Sequence, residues 1–154
     1  MESSLDALDR KILAALQEDA TRPLEELAQA VDSSKTPVWN RIRKLRASGV
    51  IRKQVALVDH TLLGLNACFY VLIRTAQHEK KWQSKFLEVV ASRPEILEAH
   101  RLAGDVDYLL KVRVKDPEDY DRFYQSLVEE ISIFNVTSLL SMQEIFSRTA
   151  LPVD

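Results

Sequence analysis

Between Ser33 and Gln54 the chain carries Lys35, Arg41, Arg43, Lys44, Arg46, Arg52 and Lys53 and no Asp or Glu, a local charge of +7 in a protein whose formal net charge is −2. Cations at that density suit the neutralisation of a polyanion, and duplex DNA presents its phosphates at a comparable spacing. Within the run Val38, Ile42 and Leu45 stand at i, i+4 and i+7, so a helix here buries one narrow stripe and turns its polar residues outward. With Val38 at the stripe's centre and about 100° per residue, Thr36, Asn40 and Arg43 point away from the core, with Lys44 beside them. Asn matches the donor–acceptor edge of adenine and Arg the acceptor edge of guanine, so Thr36, Asn40 and Arg43 are the candidate base readers. Lys35, Arg41, Lys44, Arg46, Arg52 and Lys53 are the candidates to neutralise phosphate, and Ser34, at the helix start, completes the DNA-facing set. A run of charge is ordinarily a solvated face. The absence of acids, and a place on the third helix after a short turn, favour the DNA reading. Trp39, at the edge of the stripe, reads as a packing residue.

Two helices must hold this one in place. Leu5, Leu8, Ile12 and Leu16 share a helical face, and Asp6 with Asp9 three residues on supplies an N-cap and an acidic first turn, giving a first helix from about residue 6 to 18. Thr21-Arg22-Pro23 ends it, and Leu24, Leu27, Ala28 and Val31 give a short second helix. Ser34 caps the third, with Pro37 tolerated in its first turn. Ser48-Gly49 closes that helix, and residues 50–51 and 55–58 on either side of Arg52-Lys53-Gln54 read as the arms of a small hairpin. The expectation is a winged helix-turn-helix over residues 1–59, followed by a linker at 60–64.

A second domain is expected over 65–154, ending in a short tail. Leu65 to Thr75 alternates with apolar residues on both faces, so both faces of this strand are expected to be at least partly covered, one of them by a partner sheet. Trp82, Phe86, Val89 and Val90 have helical spacing before Pro94. Strands over 96–103 and 106–114 follow, joined by a tight turn at Gly104-Asp105, the second placing Tyr108, Leu110, Val112 and Val114 inward. Asp116-Pro117-Glu118-Asp119 is a helix start, with N-cap, Pro at the first position and acids at the positive dipole end. Residues 135–146 return to strand character. The order βαββαβ is that of a ferredoxin-like sandwich with one sheet face free of helices, so the fold class is α+β.

Composition narrows the rest. With 154 residues, 46% of them hydrophobic, the chain can fold without disulfides. Cys68 has no intramolecular partner, since it is the one cysteine; it lies in the apolar strand and reads as a buried small residue. The start, MESSLDALDR, has neither the basic nor the apolar region of a secretory signal, and no apolar run spans a bilayer. A soluble, cytoplasmic protein is expected. No phosphate-binding glycine loop, CxxC, HExxH or GxSxG is present, and His60, His78 and His100 are scattered over different elements, so neither enzyme, metal site nor cofactor is expected.

The stretches LDALDRKILAALQEDA, LEELAQAV, TPVWNRIRKLRASGVIRKQVALVD, RLAGDVDYLLKVRV and LLSMQEI, taken in that order, resemble the Lrp/AsnC family, the feast/famine transcriptional regulators. The resemblance spans Leu5 to Pro152. It implies a DNA-binding unit acting through its third helix, and an effector-sensing domain whose sheets pair back to back into dimers that assemble further, often to octamers. Effectors, usually amino acids, would lie where dimers meet, at the positions of Gly104, Asp105, Val106 and Asp107 and of Leu139, Leu140 and Ser141. Chemically, Asp105 or Asp107 can accept an ammonium and the N–H groups about Gly104 a carboxylate, although Gly-Asp is also an ordinary turn pair. Ser33 stands where many members have Leu, and Val106 where many have an aromatic. The expected function is a sequence-specific DNA-binding regulator modulated by an amino acid. The alternative is an amino-acid-sensing subunit that acts through protein contacts.

Overall fold

The computed structural model describes residues 5–76 and 80–153; His78 lies outside them. The chain divides into two compact units, one comprising the residues up to Leu57 together with 145–154, the other Val58–Glu144.

In the first unit α1 (Ala7–Glu18), α2 (Leu24–Ala30) and α3 (Lys35–Ala47) enclose one core. Ile12, Leu27 and Val38 are its best-buried members, joined by Leu13, Ala28, Val31, Ile42 and Leu45. The expected stripe of α3 is therefore the buried one. Asp6 caps α1 as anticipated: its side chain accepts from the Asp9 amide at 2.9 Å, while the Asp9 carboxylate accepts from the Asp6 amide at 3.2 Å. This reciprocal pair satisfies two donors that a helix start leaves open. Ser34 occupies the N-cap of α3 in extended conformation, but its hydroxyl makes no capping bond. After Ser48, Gly49 adopts φ +79°, the left-handed conformation that ends a helix, and the Ile51 amide returns to the Leu45 carbonyl at 3.0 Å.

Two expectations for this unit are corrected. Residues 52–59 form no strand. A tight hairpin needs positive φ at its tip, which Arg52-Lys53-Gln54 does not supply; instead the Gln54 side-chain Nε2 donates to the Ala20 carbonyl at 3.4 Å, and Val55, Leu57 and Val58 stay exposed. The tail, assigned in advance to the second domain, joins the first unit. Gln17 and Leu151 exchange two hydrogen bonds of 3.0 and 2.7 Å, Arg10 donates to the Val153 carbonyl at 3.1 Å, and the Val153 side chain packs on the helical core.

The second unit holds β1 (Ala67–Arg74), α4 (Lys80–Ala91), β2 (Ile96–Arg101), β3 (Tyr108–Val114), α5 (Pro117–Glu130) and β4 (Asn135–Leu140). Every strand pairing is antiparallel, in the order β2-β3-β1-β4, the ferredoxin-like arrangement expected from βαββαβ. One face of the sheet, with Phe69, Val71, Ile73, Tyr108, Leu110, Val112 and Val114, forms a core with Trp82, Phe86, Val89 and Val90 of α4 and Tyr120, Phe123 and Leu127 of α5. Ring contacts join the layers, Phe69 stacked on Tyr120 at 3.8 Å and Phe86 tilted against Tyr108 at 4.5 Å between centroids. Asp116 caps α5, accepting from the Asp119 amide at 2.7 Å, with Pro117 in the first turn.

Strand parity puts Glu98, His100, Leu109, Lys111, Arg113, Cys68, Tyr70, Leu72 and Leu139 on the opposite face. Cover there is partial: Cys68 and Arg113 are buried, Tyr70 and Leu139 exposed. Arg113 owes its burial to bonds with the Leu65 carbonyl at 3.3 Å and Glu144 at 3.4 Å. The β2–β3 connection is longer than the expected tight turn, since β2 ends at Arg101 and β3 starts at Tyr108. Strand β4 also stops earlier than expected, at Leu140 rather than residue 146; the Ser141 amide makes a last bond to the Cys68 carbonyl at 2.8 Å before the chain leaves.

Candidate nucleic-acid interface and effector turn

The outward face of α3 is built by subtraction. Once Val38, Ile42 and Leu45 are turned into the core, Thr36, Asn40, Arg43 and Lys44 are left in solvent. Asn40, Arg43, Lys44, Arg46 and Ala47 line an open hollow along this face. Among the described residues no carboxylate lies within ion-pair distance of Arg43, Lys44, Arg46, Arg52 or Lys53, so their charge is available to an anion. Arg46 donates to the Gln54 side chain at 2.8 Å, drawing the Arg52–Gln54 segment toward the helix.

Two of the expected phosphate partners are already engaged. Lys35 pairs with Glu25 of α2 at 3.3 Å, but both side chains are more than half exposed, a geometry of little energetic weight. Arg41 is different. One of its terminal nitrogens, Nη1, donates both to Asp6 and to Asp9, the latter at 3.1 Å, and the Asp9 side chain is only 5% exposed. The amide of Asp9 and the Arg41 guanidinium hold the Asp6 carboxyl below its ordinary value. Asp6 and Asp9 bond in turn hold Arg41 more firmly protonated. The Asp pair is legible locally as a cap; its third partner lies 32 residues from Asp9, where no local pattern points to it. Trp39 is 47% exposed and lies with Leu16, Leu24 and Gln54 around a shallow depression, half packing and half open.

In the second unit, the turn after β2 is fixed by Asp107. Its carboxylate accepts from the Thr75 amide at 2.8 Å, its own amide donates to the Ile73 carbonyl at 2.9 Å, and its carbonyl accepts from the Leu102 amide at 2.8 Å. Asp107 thus joins the ends of β1 and β2. Asp105 is exposed and Val106 half-buried, while Gly104 takes φ +136°, a conformation that side-chain-bearing residues rarely adopt. Leu139 and Leu140 lie exposed on the edge strand. Within one protomer these two groups are apart: Tyr108 sits opposite Ile73 and Leu140 opposite Phe69, a separation of about 13 Å along β1 alone.

Two family models match the chain, the AsnC-type helix-turn-helix domain over residues 5–46 and the Lrp/AsnC ligand binding domain over residues 68–151. The DNA-binding transcriptional activator DecR of Escherichia coli is 42% identical over 151 residues, covering 97% of this chain and 99% of that protein. The crystal structure of an AsnC family transcriptional regulator from Agrobacterium tumefaciens superposes with a TM-score of 0.94 at 46% identity, covering 96% of this chain and 97% of that one. A transcriptional regulator of Neisseria meningitidis, solved as a complex with L-Met, superposes with a TM-score of 0.93 at 28% identity, covering 98% of both chains. With an exposed recognition helix on one unit, a ferredoxin-like sheet in the other, and these matches over nearly the whole length, the chain belongs to the Lrp/AsnC family of helix-turn-helix transcription regulators.

Proposed function

We propose that the protein is a sequence-specific DNA-binding transcriptional regulator whose DNA binding or assembly responds to an amino-acid effector. The observation that carries this reading is the outward face of α3, where Thr36, Asn40, Arg43 and Lys44 are exposed together on the helix that such units insert into the major groove. Asn40 and Arg43 read base edges, while Lys44, Arg46, Arg52 and Lys53 hold phosphates. The reading assigns no catalysis and places the protein with its DNA in the cytoplasm.

A homodimer supplies the second recognition helix. The open face of the sheet, where Tyr70 and Leu139 are exposed and Leu72 and Leu109 half-buried, is the surface we assign to a second copy, because it gathers these apolar side chains on one unpaired face. The effector reading also calls for more than one copy. A free amino acid is shorter than the separation between the Gly104–Asp107 turn and Leu139–Ser141, so the two groups can meet one ligand only when they come from different protomers. At the turn, Asp105 and the free lone pairs of Asp107 suit an ammonium, and the backbone N–H groups around Gly104 a carboxylate. Dimers would then assemble further, toward octamers, with the ligand biasing assembly by its differential affinity for the two states. The relative solved with L-Met supports the choice of ligand class.

Fluorescence anisotropy with duplexes selected from a random library tests the reading. Affinity is expected to fall roughly 10³- to 10⁵-fold between about 50 and 200 mM salt if a dimer neutralises about 6–10 phosphates. A flat salt response would refute DNA binding.

A further inference from the structure

We infer that Arg41 is a positioning residue for DNA reading rather than a phosphate contact: it braces α3 against the start of α1 and so fixes the pose in which Asn40 and Arg43 meet the bases. The inference rests on the DNA-binding reading and deepens it.

The geometry divides the work of two carboxylates. One oxygen of Asp6 accepts from the Asp9 amide, and one oxygen of Asp9 accepts from the Asp6 amide. The remaining oxygen of each is turned to Arg41 Nη1. The cap that starts α1 is therefore also the anchor of α3, and a rotation of α3 about its axis must break bonds to both aspartates. On the helical wheel Arg41 lies about 60° from Val38, on the flank of the buried stripe, whereas Asn40 and Arg43 lie about 140–160° from it. It thus stands between the core and the reading face.

A phosphate could take Nη1 only by drawing it away from Asp9, and the paired carboxylates of Asp6 and Asp9 offset the charge that a phosphate would otherwise meet at the rest of the guanidinium. The Asp9 side chain is 5% exposed, and a buried carboxylate stripped of its counter-charge costs more than a solvent-exposed phosphate contact returns. Arg43, Lys44, Arg46, Arg52 and Lys53, which meet no carboxylate among the described residues, already supply the phosphate charge. What they do not supply is orientation. The apolar stripe of α3 comprises only Val38, Ile42 and Leu45 among its buried residues, and apolar contact is non-directional, so it tolerates small rolls of the helix. Base readout does not, because functional side chains must be held within about 0.5 Å of their working geometry.

The test compares Asp6→Ser, Asp9→Asn, Arg41→Met and Arg41→Lys in the full chain. Asp6→Ser keeps a side-chain acceptor for the Asp9 amide, and Asp9→Asn keeps one for the Asp6 amide, so both retain a capped α1. Affinity is measured well below each variant's melting temperature, for a duplex that the wild-type protein enriches from a random library and for an unselected duplex, across a salt series. Each variant is expected to lose about tenfold on the selected duplex with little change on the unselected one, so that the specificity ratio falls, and the salt slope is expected to stay that of the wild type. Arg41→Lys shares the loss, because an ammonium does not reproduce the planar guanidinium between the two carboxylates.

Three results would overturn the inference. If Arg41 held a phosphate, Asp6→Ser and Asp9→Asn would free it and raise affinity on both duplexes, and Arg41→Met would flatten the salt slope by about 0.9. If the brace served stability alone, melting temperatures would drop while the specificity ratio held. Should Asp9→Asn fail to fold, the Asp6→Ser and Arg41→Lys pair decides. Absence of salt-dependent binding by the wild-type protein would instead defeat the DNA-binding reading itself, and is recognised before any variant is compared.

Discussion

Single residues on α3 divide by what remains available to a ligand. Arg43 has neither a carboxylate nor a buried contact to satisfy among the described residues, so Arg43→Ala is expected to relax preference at one base position by about 1–3 kcal/mol. Lys53→Ala should weaken every sequence alike and reduce the salt slope by about 0.9. Binding-site selection with each variant separates the two, and a uniform loss for Arg43→Ala would remove it from the base readers. Asp107 carries a structural duty independent of any effector. Asp107→Ala removes the carboxylate that accepts from the Thr75 amide, and is expected to cost about 1–3 kcal/mol in denaturant unfolding. Effector titrations should therefore use Asp107→Asn, which keeps an acceptor oxygen while removing the charge an ammonium would need. An unchanged affinity for the strongest ligand in that variant would take Asp107 out of the effector site.

At the scale of elements, the sheet is pinned where its strands enter and leave. The β2–β3 pair shares the open-face bond of Lys111 to Glu98 at 3.1 Å, with His100 at 3.4 Å on the same carboxylate. Lys111 and His100 hold the Glu98 carboxyl below its ordinary value of 4.5. A carboxylate depressed in the folded state stabilises it above the unfolded value, and the contribution fades as pH falls through the folded value. Acidification below the ordinary carboxyl value of 4.5 should thus loosen this pair. The check is hydrogen exchange of β2 amides in the wild type against Glu98→Gln, whose exchange should depend less on pH over that window. The β2–β3 turn depends on backbone conformation in another way. A Cβ at Gly104 would meet nothing within 4 Å, yet its φ is +136°, so Gly104→Ala is destabilising by about 1 kcal/mol or more through strain and not through collision. A melting temperature equal to the wild type's would contradict that φ.

For the whole molecule, the homodimer we propose takes its second recognition helix from a second copy. Tyr70→Asp places a charge in the middle of the open sheet face, between Lys111 and Leu139 in the strand register. The expected result is a monomer in analytical ultracentrifugation with the helical core intact by circular dichroism, together with loss of the cooperative part of DNA binding. A dimer that survives Tyr70→Asp would place the interface elsewhere. The chain passes between the two units twice, once after Leu57 and again before Ile145, so the tail is a second covalent tie whose far end is held by Gln17 and Arg10.

Much of this was written locally in the chain. The 3.6-residue stripes of α1, α3 and α5, the Asp6 and Asp116 caps, the glycine after α3 and the period-two alternation of β1 and β3 each depend on near neighbours, and their spacing specified element types and buried faces. The acid-free cationic run was equally legible, because charge density is a property of sequence. Tertiary structure decided what each group spends its bonds on. It tied Arg41 to two aspartates from another helix, committed Asp107 to Thr75, and drew Leu151 and Val153 back onto α1. It left 55–58 without a hairpin partner and stopped β4 at Leu140. These outcomes turn on partners dozens of residues away, where hydrogen bonds and counter-charges are assigned by packing, and no local period encodes which distant donor will arrive.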